Sequence, residues 1–177
     1  MQIKNMKIKT GSQAPEFSLY NSEKKKIALS DYRGKNVLLL FFPLAFTGTC
    51  TRELCGVRDN ISLYNNSNAE VFGISVDSLH TLARYKEDQQ LNFQLLSDFN
   101  KEVSEMYDSI YPLFGFDMKG VSKRSAFVID GKGIVRYAEV LENASKYPIL
   151  TLSGKLYPNA INPFLIRSFK GIHNIGP

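Results

Sequence analysis

The chain reads as an α/β fold built on a mixed sheet, and three observations predict it. Val37 to Phe42 is a continuous apolar run, the pattern of a central strand covered on both faces. From Ala69 onward, strand and helix patterns alternate in a βαβ rhythm. Asp130-Gly131-Lys132-Gly133, set between two apolar stretches, is a strong hairpin-turn signal, which adds antiparallel neighbours to the sheet.

Taken in order, Phe17-Ser18-Leu19-Tyr20 and Ile27-Ala28-Leu29 are short stretches suited to pair as a hairpin, with Lys24-Lys25-Lys26 in its solvated turn. The run 37–42 follows as the central strand. After Cys50 the apolar residues Leu54, Val57, Ile61 and Tyr64 recur three and four apart, so one amphipathic helix is expected, entered through Thr47 to Thr49, with Cys50 in phase with its buried stripe. Ala69 to Asp77 then reads as a strand, Ser78 to about Gln89 as a helix, and Phe93 to Leu96 as a strand. Val103, Met106, Tyr107 and Ile110 suggest a short helix. Tyr107 to Ser122, with Pro112, Gly115 and Gly120, is the longest expected loop, its aromatics placed to border a site. Arg124 to Asp130 and Ile134 to Val140 are the strands of the last hairpin.

At 177 residues, with 44% hydrophobic and 22% charged content, the chain is long enough to close one core and too short for two comfortable ones. Residues 1–147 are expected as the domain. Residues 148–177 change character: they hold no Asp or Glu and are interrupted by proline and glycine, so an atypical tail that is poorly ordered or packs irregularly is expected. The lysine-studded N-terminus has no signal-like apolar run and no segment approaches membrane-spanning length, which favours a cytoplasmic location and no membrane partner. Two cysteines make a redox pair or isolated thiols, not a disulfide framework. The net charge of +5 comes from scattered residues without aromatic interleaving, so no nucleic acid partner is expected. His80 and His173 are isolated, and neither a metal nor an organic cofactor is expected.

Pro43-Leu44-Ala45-Phe46-Thr47-Gly48-Thr49-Cys50 carries the chemistry. It places a thiol where a helix begins, and a helix N-terminus favours the nucleophilic thiolate through its unpaired N–H groups and partial positive charge.

Pro43, Thr47 and Cys50 stand in the spacing of the peroxiredoxin signature, and the chain resembles that family from about Thr10 to Tyr147. The Cys50 to Cys55 spacing is similar to the bacterioferritin-comigratory-protein or peroxiredoxin Q group. Phe-Pro-Leu-Ala-Phe-Thr-Gly resembles the one-cysteine branch related to alkyl hydroperoxide reductase E, and Lys123 to Asp130 resembles the segment whose arginine completes the active site. The resemblance implies a thioredoxin-like fold with an added N-terminal hairpin and reduction of hydrogen peroxide or alkyl hydroperoxides through a Cys50 sulfenic acid. It further implies thioredoxin or a similar thiol reductant, and a monomer or homodimer.

In that scheme the Thr47 hydroxyl orients sulfur and peroxide, Arg124 favours the thiolate and the charge developing on oxygen, and Pro43 shapes the loop and shields the thiolate from water. Cys55 is the candidate resolving thiol. On a regular helix five residues turn the two side chains about 140° apart, whereas a relaxed disulfide needs Cα atoms within roughly 7 Å and converging Cβ vectors. The first turns must therefore unwind, helped by Gly56 and Asn60, both weak helix formers. Glu53 either steers the pocket arginine or serves the helix start as an acidic residue. The alternative to an enzyme is a redox sensor or binding module that signals through a partner; a thioredoxin-like oxidoreductase would carry Cys-x-x-Cys instead.

Overall fold

The computed structural model describes residues 8–148. The expectation for the 148–177 tail falls outside them except at Pro148.

The N-terminal hairpin forms between β1 (Ser18–Asn21) and β2 (Lys26–Ala28). The Asn21 side chain closes its turn by accepting from the backbone N–H groups of Glu23 and Lys25. The central run becomes β3 (Asn36–Phe41), whose alternate side chains enter two separate cores. Val37, Leu39 and Phe41 pack on one face, and Leu38, Leu40 and Phe42 on the other. That two-sided burial is why the run is continuous rather than alternating.

Helix α1 (Gly48–Asp59) buries Cys50, Glu53, Leu54 and Val57 on one stripe. The single helix expected here is divided: Asn60 leaves helical geometry at φ −115° and ψ 18°, and α2 (Ile61–Asn65) restarts after it. The Asn60 amide donates to the Gly56 carbonyl at 2.8 Å, the local bonding by which asparagine competes with the helical ladder. The βαβ rhythm follows as β4 (Ala69–Ser75), α3 (Leu79–Asp88) and β5 (Gln94–Ser97). The Ser78 hydroxyl caps α3 by accepting from the Thr81 N–H at 3.1 Å.

The short helix is α4 (Glu102–Met106), started by Asp98, which accepts from the N–H groups of Val103 and Ser104. It ends sooner than expected because Asp108 has a left-handed φ of 53°. Met106, its last residue, is exposed, and Ile110 opens a strand. Residues 107–122 are less irregular than the loop expectation, since β6 (Ile110–Tyr111) and β7 (Val121–Ser122) pair as a small ribbon. The last hairpin is β8 (Ser125–Ile129) and β9 (Val135–Val140).

The seven-stranded sheet runs β2-β1-β5-β4-β3-β8-β9. β3 and β5 flank β4 in parallel and the other pairs are antiparallel, so the sheet is mixed. No helix among the described residues is long and apolar enough to cross a membrane.

Candidate active site

The register of β3 against β8 brings together residues far apart in sequence. Phe41 pairs with Ser125, so Arg124, next to Ser125, stands where the chain leaves β3 for the 42–47 loop and α1. Cys50 is the third residue of α1 and is 1% exposed. The first bond of that helix runs from the Thr51 N–H to the Thr47 carbonyl, so the amides of 48–50 lie at the unpaired, partly positive end.

Arg124 is 1% exposed and tied down on three sides. Nη2 donates to Cys50 Sγ at 3.3 Å, Nη1 to the Glu53 carboxylate, and Nε to the Ala144 carbonyl at 3.1 Å. The Tyr147 ring lies 5.7 Å from the guanidinium carbon. Burial works against the charged guanidinium, but the Glu53 carboxylate and the Cys50 sulfur outweigh it and raise the arginine above its ordinary value. The charge therefore persists in a buried site, where it acts on sulfur with less screening than at the surface. Glu53 thus takes the first of its two sequence-level roles, that of partner to the arginine. Around it, burial and then the Glu53 carboxylate push Tyr64 up to about 12.

The loop ahead of the thiol is shaped by several contacts. Pro43 is buried at the end of β3. Asp77, just past β4, accepts from the Ala45 N–H at 2.8 Å and from the Ser75 hydroxyl at 2.7 Å. Phe46 holds a φ of +61°, unusual for a bulky residue, and sets its ring edge-on against Tyr85 with centroids 5.0 Å apart. The Thr47 hydroxyl donates to the Leu44 carbonyl at 2.9 Å and makes no side-chain cap bond to α1. In this state it closes the loop rather than holding sulfur.

Cys55 faces α3, a different direction from Cys50. Its thiol donates to Gln89 Oε1 at 3.7 Å, and both cysteines are free. Two more contacts fasten the same side of α1: the Tyr85 hydroxyl donates to Thr51 Oγ1 at 3.0 Å, and Arg58 Nη1 donates to the Gln89 carbonyl at 2.6 Å. The structure therefore brings Cys50, Arg124 and Glu53 together and leaves Cys55 outside that cluster. Ala144, Tyr147 and Asp77 have no sequence pattern that marks them, because each acts through a contact made only in the folded chain.

Residues 10–138 match the AhpC/TSA family. The chain belongs to that family. A putative peroxiredoxin bcp of Haemophilus influenzae is 44% identical over 100 residues, which are 56% of this chain and 64% of that relative. The alkyl hydroperoxide reductase E of Mycobacterium tuberculosis is 38% identical over 136 residues, 75% of this chain and 86% of the relative. In three dimensions the chain is similar to the peroxidoxin BcpB of Mycobacterium tuberculosis, with a TM-score of 0.72 at 24% identity, covering 96% of this chain and 99% of that one. The fold is the thioredoxin fold of peroxiredoxins, and the activity that goes with these relatives is that of a thiol-dependent peroxidase. Both branches resembled at the sequence level are present among the relatives.

Proposed function

We propose that this peroxiredoxin reduces hydrogen peroxide and organic hydroperoxides at Cys50, resolves the product through Cys55, and is recharged by thioredoxin or a similar dithiol. The observation that carries the first step is the 3.3 Å bond from Arg124 Nη2 to Cys50 Sγ inside a buried slot. A fixed cation beside the sulfur lies where negative charge grows as the O–O bond stretches.

Cys50 thiolate attacks the terminal oxygen of the peroxide. The S–O bond forms as the O–O bond breaks, and the departing alkoxide or hydroxide takes a proton to leave as alcohol or water. Cys50 is then a sulfenic acid. Thr47 orients the incoming peroxide once its hydroxyl turns from Leu44, and Pro43 keeps bulk water from the thiolate. In the second step Cys55 sulfur attacks the sulfenic sulfur, the S–S bond forms, and water leaves. An external dithiol returns the two electrons and is itself oxidised to a disulfide. The intact run of α1 between Gly48 and Asp59 supports a resolving step that begins with unwinding. Two thiols with no disulfide framework suit a reducing compartment, which supports a cytoplasmic setting.

Steady-state peroxide consumption with thioredoxin and its reductase tests the reading. Catalytic turnover in the native protein and none in Cys50→Ser is expected. Stoichiometric oxidation without turnover would point instead to a redox sensor.

A further inference from the structure

We propose that Tyr147 is a positioning residue for Arg124, its ring forming the wall of the guanidinium slot that hydrogen bonds cannot supply. A guanidinium donates only within its own plane. For Arg124 those directions lead to Glu53, to Cys50 Sγ at 3.3 Å and to the Ala144 carbonyl at 3.1 Å. Three in-plane bonds hold the group firmly against sideways movement and more softly against tilt, because a hydrogen bond bends more easily than it stretches. The Tyr147 ring, with its centroid 5.7 Å from the guanidinium carbon, opposes the tilt, and an aromatic face attracts a cation at this range.

The ring is itself held in place. Its hydroxyl accepts from Arg52 Nε at 3.2 Å. Arg52 stands two residues after Cys50 in α1, so a closed circuit runs from Cys50 through Arg124 and Tyr147 to Arg52 and back along the helix. Tyr147 lies beyond the end of β9, outside the sheet. Its role thus concerns the arginine more than the fold. Without the ring the guanidinium rocks out of line with sulfur, and both the thiolate and the stretching peroxide lose their donor.

The test uses a Cys55→Ser background, so that it does not depend on which thiol resolves. Stoichiometric hydrogen peroxide is added, the Cys50 sulfenic acid is trapped with dimedone, and its rate of formation is read by mass spectrometry. Tyr147→Ala is expected to slow formation about fivefold to tenfold, the scale of a partly desolvated cation–π contact. Tyr147→Phe, which keeps the ring, should stay within about twofold of the parent on the same scale. Tyr147→Leu keeps bulk without the aromatic face and should behave like the alanine variant, for which it stands in if that variant does not fold. Adding Tyr147→Ala to Arg124→Ala should bring no further loss, since a residue acting through the guanidinium then has nothing to act on. An unchanged rate in the alanine or leucine variant, equal losses in the phenylalanine and alanine variants, or a further loss on top of Arg124→Ala would each overturn the proposal.

Discussion

In the proposed mechanism the chemistry rests on one sulfur and one guanidinium, and on the carboxylate that keeps the second in place. Arg124 is not interchangeable with lysine, because a point ammonium cannot serve sulfur, carboxylate and carbonyl from one plane. Arg124→Lys is expected to cut the rate of Cys50 oxidation by about 10²- to 10³-fold, the scale of losing a fixed donor at a developing anion. Stopped-flow peroxide consumption reads this loss, and a drop of only a fewfold would contradict the role given to the fork. Glu53 bears on stability as much as on rate, since its side chain is fully buried against Arg124. Removing it leaves a buried cation without its counter-charge, and Glu53→Ala should lose about 3–5 kcal/mol in urea unfolding. A loss under about 1 kcal/mol, the range of an exposed pair, would show that the carboxylate is not the partner that keeps the cation buried.

At the scale of elements, the proposed cycle gives α1 two tasks that oppose each other. In that cycle it stays wound to hold Cys50 beside Arg124 and unwinds to let Cys55 reach it. The contacts from α3 set that balance, with Thr51 held by Tyr85 at 3.0 Å and Cys55 by Gln89 at 3.7 Å. Burial raises the Tyr85 hydroxyl well above its ordinary range, so it stays protonated as the donor to Thr51. Tyr85→Phe removes one hydrogen bond worth about 1 kcal/mol and should speed the Cys50–Cys55 cross-link about fivefold. Acid-quenched samples analysed by mass spectrometry give the rate, and a slower cross-link would contradict the latch.

The same elements show how far the sequence is legible. Val37 to Phe42 carries its strand in its composition, and the stripe through Cys50, Leu54 and Val57 carries its helix, because burial on defined faces leaves a periodic mark. The break at Asn60 shows in the sequence only as a weak helix former and not as a boundary, since it depends on a side-chain bond that competes with the ladder. The β6–β7 ribbon is too short to show alternation. In the site, Cys50 and Arg124 are readable as motif positions. The roles of Glu53 and Tyr147 depend on which side chains the fold brings to the guanidinium.

For the molecule as a whole, two features set how the scaffold responds to mutation and acid. Leu39 is fully buried in the core on one face of the sheet, and Leu39→Ala should cost about 2–5 kcal/mol in thermal or urea unfolding. Asp130 governs the last hairpin. Its Oδ1 accepts from the Lys132 and Ile134 N–H groups, each at 2.9 Å, and its Oδ2 from Arg136 Nε at 2.7 Å. Burial alone would raise this carboxyl, but those bonds outweigh it and hold it below its ordinary 3.8. The folded state therefore binds this proton less readily than the unfolded chain. Its contribution is complete above the ordinary carboxylate range and is lost as pH falls below about 4 through the lowered value. Unfolding followed from neutral pH into acid should show Asp130→Asn less stable than the native protein at pH 7, with the gap closing as pH drops. A gap that widens in acid would contradict the assignment.

The most direct test of the account is mass spectrometry of the reduced protein after one equivalent of hydrogen peroxide, alongside Cys50→Ser and Cys55→Ser. The account predicts loss of two hydrogens with a Cys50–Cys55 cross-link in the native chain, an oxygen adduct on Cys50 in Cys55→Ser, and no oxidation of Cys55 in Cys50→Ser. A persistent oxygen adduct on Cys50 in the native chain would contradict resolution by Cys55, and an unmodified Cys50 would contradict the peroxidase itself.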